Sequence, residues 1–117
     1  MVESQFQKKV TKWLESKGAY CRKQNASGLS RTGTPDYLIC LDGVFLAIEY
    51  KKSMKDKPTE LQKKNINDIN KAKGIAIVLR PEKFDVFKIM VDIFLLDKTT
   101  NRVETFKNNL IKKVGIE

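Results

Sequence analysis

Asp36 and Glu49 are the residues around which chemistry is most readily built in this chain. Each lies in an apolar, strand-like run, and the Asp42-Gly43 dipeptide between the runs signals a two-residue hairpin. Folding about that turn sets residues whose numbers sum to 85 opposite each other, so Asp36 faces Glu49. Two carboxylates that close repel unless something positive lies between them. Two hard oxygen ligands on adjacent strands are the beginning of a Mg²⁺ or Mn²⁺ site. Lys51, two residues past Glu49, falls on the same strand face, where a positioned ammonium can hold a water or a phosphoryl oxygen. The backbone carbonyl of Tyr50 lies between the two side chains and offers a further oxygen if Asp36 and Glu49 bind metal. A cation held there would polarise a phosphate and lower the pKa of a bound water, which is what cutting a phosphodiester requires. The competing reading is a structural cross-strand ion network.

The composition agrees with a polyanionic partner. Lys and Arg number 23 and Asp and Glu 14, a net charge of +9. A small basic domain attracts nucleic acid, whose phosphates would supply most of the affinity, although a solvated Lys-rich surface has the same charge. The chain has no His, which removes the usual general base of Ser and Cys hydrolases. The two cysteines, Cys21 and Cys40, sit in apolar stretches without a CxxC. A zinc site is therefore not expected, and the thiols read as buried and reduced, as in a cytoplasmic protein. The N-terminus lacks the apolar centre of a signal peptide. No apolar run exceeds five residues, far too short to span a membrane.

The elements that must position these groups follow from periodicity. At 117 residues the length suits one domain, 1–117. Phe6, Val10, Trp13 and Leu14 recur at helical spacing over 3–17, and Gly18 ends that helix. Residues 19–23, 35–41 and 44–51 read as strands, with a polar loop over 25–34. Thr59 with Gln62 fits a capping box, opening a helix that runs to Lys73. Ile75 to Leu79 is a continuous β-branched run suited to a buried parallel strand. Pro81 then sits in the first turn of a helix containing Phe84, Phe87, Val91 and Phe94; a strand remains the alternative there. Val103, Phe106, Leu110 and Val114 mark a last helix. The expected architecture is α/β, of order αβββαβαα: a mixed sheet of about four strands flanked by helices.

The stretches GTPDYLIC and FLAIEYKK together resemble the PD-(D/E)XK nuclease signature, with Pro35-Asp36 and Glu49-Tyr50-Lys51 in the motif positions. Over roughly residues 1–90 the chain is most similar to the virus-type replication-repair (VRR-NUC) nucleases, relatives of archaeal Holliday junction resolvases. Glu3, the loop 25–33 and Gln62 match the family's early helical acid, its Ser/Gly-rich loop and its Gln after the E-x-K. The resemblance implies a restriction-endonuclease-like core, Mg²⁺ or Mn²⁺ as cofactor with no small-molecule cofactor, and a DNA substrate, often branched. It also implies a phage or bacterial protein of the cytoplasm, often a homodimer.

Glu3 has a second reading as an acid favoured by the helix dipole, and Gln62 one as a cap residue. A second E-x-K, Glu15-Ser16-Lys17, lies on the first helix and reads as a solvated face. Arg22, Lys23 and Arg31 flank the polar loop, and Lys52, Lys55 and Lys57 follow the E-x-K strand; both groups are candidate phosphate contacts. Lys8, Lys9 and Lys12 read as a solvated helix face, and Trp13 as core. The expected function is thus a metal-dependent DNA endonuclease selective for branched DNA such as junctions or flaps. The alternative is a non-catalytic basic DNA-binding module of the same fold.

Overall fold

The computed structural model describes residues 2–24 and 32–117. Most of the polar loop, with Arg31, lies outside the described residues. The elements are α1 (Glu3–Ser16), β1 (Tyr20–Lys23), β2 (Tyr37–Leu41), β3 (Val44–Tyr50), α2 (Glu60–Lys71), β4 (Ile75–Leu79), α3 (Phe84–Leu96) and α4 (Arg102–Lys113). A single 3₁₀ turn, Pro81–Lys83, leads into α3. The expected order is therefore observed, and the segment after Pro81 is helical, as its spacing of aromatics required.

The four strands form one sheet in the order β1-β2-β3-β4. The first two pairings are antiparallel and β3 runs parallel to β4, so α2 is the crossover helix between them. In the β2–β3 hairpin Tyr37 pairs with Ile48 and Leu41 with Val44, the register expected from the turn. Asp42 and Gly43 both have positive φ, 48° and 84°. That is the backbone of a type I′ turn, whose twist matches the flanking strands and which favours this dipeptide.

The hairpin ladder is shorter than the pattern of apolar residues suggested. It stops at Tyr37 because Pro35 has no N–H to give. The Tyr50 N–H, next in line, donates instead to the Asp36 carboxylate, Oδ2, at 2.8 Å. A side chain thus takes the place of a ladder bond at the end of the hairpin.

Alternation divides the sheet into two unlike faces. One face carries Tyr37, Ile39, Leu41, Leu46, Ile48, Tyr50, Ile75, Ile77 and Leu79, all buried beneath α1, α3 and α4 with Phe6, Val10, Leu14, Phe87, Phe94 and Leu110. Phe6 meets Tyr50 and Phe84 edge-on, and Trp13 packs edge-on against Phe84 and Phe87. The opposite face has only α2, whose Ile66 packs on Ala47, Ala76 and Val78. Its β1–β2 half is uncovered by any described helix. This corrects the expectation of two buried thiols: Cys40 points out of that half and is exposed, while Cys21 is half-buried. The free edge of β4 is closed by the chain's last residues, where the Val78 N–H donates to the Gly115 carbonyl at 3.0 Å. Among the described residues no helix is long and apolar enough to cross a membrane.

Phe87 is fully buried and Tyr20 is 64% exposed. Phe87→Ala is expected to cost about 3–5 kcal/mol in urea unfolding, and Tyr20→Ala less than about 0.5 kcal/mol.

Candidate active site

The site lies where β3 ends. Glu49 and Lys51 flank Tyr50, and the bend that precedes β2 brings Asp36 alongside. Within a strand the N–H and C=O of one residue point to the same side. The Tyr50 N–H points at Asp36, so its carbonyl opens toward Asp36 as well. The Tyr50 side chain goes the other way, into the core at 1% exposure.

Glu49 is 3% exposed, an unusual setting for a carboxylate. Its Oε2 accepts from Gln62 Nε2 at 3.1 Å and lies 3.7 Å from Lys51 Nζ. Its Oε1 is buried and has no hydrogen-bond partner. Burial foremost, then the adjacent Asp36 charge, pushes the Glu49 carboxyl up to about 8, with Lys51 working against the rise. Asp36 thus stands next to Glu49, and its charge opposes ionisation of the Glu49 carboxyl. Glu3, at the start of α1, is raised too, by burial first and then by Asp36 and Asp56; Lys51 and Lys52 oppose this. Glu3 therefore borders the pair. Among the described residues, however, no three acidic or thiol side chains come close enough together to form a metal-binding group.

Gln62 is a capping-box residue of α2 and also touches the site. Thr59 Oγ1 accepts from the Gln62 N–H, and Gln62 Oε1 accepts from the Thr59 N–H, which is the capping box. The remaining amide nitrogen reaches Glu49. One side chain thus starts α2 and ties that start to the site. The loop leading into Asp36 rests on the same helix. A Cβ at Gly33, φ 85°, would meet Leu61 at 2.7 Å and Asn65 at 2.9 Å, so only glycine allows this approach.

Of the candidate phosphate contacts, Arg22 and Lys23 are exposed on β1, and Lys52, Lys55 and Lys57 are exposed on the connection after Lys51. The second E-x-K lies apart: Lys17 pairs with Asp92 of α3 at 3.0 Å. Lys8, Lys9 and Lys12 are exposed on the outer face of α1.

Arg80 was not found by sequence reasoning. It is 3% exposed, and its guanidinium donates to the carbonyls of Ser53, Asp56 and Glu117 at 2.7, 2.7 and 2.9 Å. It shapes the connection carrying Lys52, Lys55 and Asp56 beside the site. The available signal was a cation continuing the inward phase 76, 78, 80 of a wholly apolar strand.

The donor set suits a hard divalent cation. Two adjacent carboxylates, the Tyr50 carbonyl and a buried Glu49 oxygen without a hydrogen-bond partner are all hard oxygen donors.

No family model and no curated protein matches this sequence. Solved structures do match this chain, two of them as follows. One, described as a "VRR_NUC domain", is 28% identical, with 83% of this chain and 97% of that chain covered and a TM-score of 0.62. The other, a "VRR_NUC domain protein", is 20% identical over 100% of this chain and 93% of that one, TM-score 0.58, and speaks to the fold alone.

Because the folded Glu49 carboxyl titrates above its ordinary value, the folded state binds the extra proton. The stability this gives is complete below the ordinary carboxylate range and is lost as pH rises through about 8. The metal-free protein is expected to melt at progressively lower temperature from pH 5 to pH 9, with Glu49→Gln flattening that dependence; calorimetry across the range checks it.

Proposed function

From a chain that carries a VRR-NUC domain, we propose a nuclease of the PD-(D/E)XK type: a divalent-cation-dependent DNA endonuclease acting on branched DNA. The observation that supports this reading best is the Asp36–Glu49 pair, with Glu49 Oε1 buried and unpartnered and with Lys51 and Gln62 on the other oxygen.

Asp36, Glu49 and the Tyr50 carbonyl would hold Mg²⁺ or Mn²⁺, with Glu3 at the border. When bound, the cation supplies charge stabilisation at the phosphate and acidifies water. The rest falls to the chain's own groups. Glu49 must lose its proton before it can act as a ligand. Gln62 holds the Glu49 carboxylate in one orientation, and the Tyr50 N–H does the same for Asp36. Lys51, whose side chain is only 13% exposed, keeps its ammonium beside the scissile position. There it orients the attacking water and offsets the charge developing on the phosphoryl oxygens. Lys52, Lys55, Lys57, Arg22 and Lys23 supply phosphate contacts around that point.

One site cuts one strand, so symmetric cuts in a junction call for two copies related by a two-fold axis. Ile89, Ile93 and Leu96 form a stripe on α3 that is 55%, 48% and 78% exposed, which suits a homodimer contact.

Labelled four-way junction, flap and linear duplex are expected to be cut with Mg²⁺ or Mn²⁺ and not with EDTA, branched forms being preferred. Lys51→Ala should lower the rate by roughly 10²- to 10³-fold, while retaining DNA binding. A folded wild-type protein that binds DNA and cuts none of these would establish the non-catalytic binding module instead. In sedimentation at micromolar concentration a dimer is expected that Ile93→Asp converts to monomer; a monomeric wild type rejects the dimer.

A further inference from the structure

The uncovered half of the sheet is arranged in rows. Pairing sets Tyr20, Cys40 and Phe45 in one row and Arg22, Leu38 and Ala47 in the next. One step further come Asp36, just past the ladder, and Glu49. All these side chains share one face. Tyr20, Arg22, Leu38, Cys40 and Phe45 of the first two rows, with Ile39, line an open, almost wholly apolar groove of about 280 Å³. Tyr20 is 64% exposed and Phe45 45%, so two aromatic rings lie in solvent on a flat strand surface. Arg22 borders the groove, and among the described residues it has no carboxylate partner.

We infer that this groove is a stacking platform for unpaired DNA, leading a single strand along the sheet face to the Asp36–Glu49 pair. Bases stack on aromatic rings whatever their sequence, and a neighbouring Arg takes the phosphate between them. The order of rows fits such a strand: aromatics, then a cation, then the carboxylates. Two residues along a strand span about 6.6 Å, so the aromatic row lies ~13 Å from Glu49. An extended single strand covers that distance in about two nucleotides, placing stacked bases just beside the scissile bond. A duplex is too wide and too rigid to present bare base faces to a sheet surface, so the groove selects unpaired arms. The apolar lining alone would equally suit protein, but the isolated Arg22 and the net charge of +9 favour a polyanion.

The inference rests on the nuclease reading only for where the strand leads. Its test is run in EDTA, so it requires no cleavage. By fluorescence anisotropy, wild type is expected to bind labelled oligothymidine. Tyr20→Ala should weaken that binding by roughly tenfold while changing duplex affinity by less than about twofold, and Tyr20→Trp should restore it. Cys40, exposed in the groove floor, serves as a reporter in the unaltered protein. Saturating oligothymidine is expected to slow its alkylation, read by peptide mass, and duplex is not. Single-strand binding unchanged in Tyr20→Ala, or Cys40 alkylated equally fast under saturating oligothymidine, would overturn the platform. So would self-association that Tyr20→Ala abolishes. If the platform behaves as expected and no DNA is ever cut with metal, the nuclease reading fails by itself.

Discussion

Two carboxylates side by side in a largely dry pocket repel each other, and much of this fold serves to hold Asp36 and Glu49 there regardless. The pair needs a register that sets them opposite, which the type I′ turn at Asp42-Gly43 supplies. It needs donors on the oxygens, and these come from the Tyr50 amide, Gln62 and Lys51. Even so, Glu49 remains raised and one of its oxygens unpartnered. The strain of unmet charge is concentrated at one point, which is where a hard cation would relieve it. Local rules are broken here and obeyed elsewhere, as expected where function competes with stability.

The supporting elements are coupled through a few side chains. Gln62 caps α2 and holds Glu49, so the start of that helix cannot move without moving the carboxylate. Gly33 lets the segment before Asp36 rest on the same helix. Arg80 clasps the connection after Lys51 to the chain's last residues through three carbonyls.

The two faces of the sheet divide the labour. Three helices seal one face with stacked aromatic and aliphatic side chains, and that core carries the stability. The other has a single helix over β3 and β4, and its β1–β2 half is covered by no described helix.

Much of this was legible without coordinates, because it depends on local periodicity. The hairpin dipeptide and period-2 alternation determined the register that sets Asp36 against Glu49. Helical spacing of Phe84, Phe87, Val91 and Phe94, with Pro81 ahead of them, pointed to the helix after β4 but left a strand open, and the packing of that segment on the sheet decided it. The element order and the E-x-K strand followed from the same signals. Tertiary structure decided what depends on contacts between distant segments. Spacing could not choose between the two roles of Gln62, since only the packing of α2 on the sheet brings its amide to Glu49. Arg80 finds its three carbonyls 24 to 37 residues away, beyond any local pattern. Cys40 sits in an apolar run yet is exposed, because burial depends on whether a helix covers that half of the sheet. Periodicity names the face a side chain takes; only the assembled layers determine whether that face meets protein or solvent.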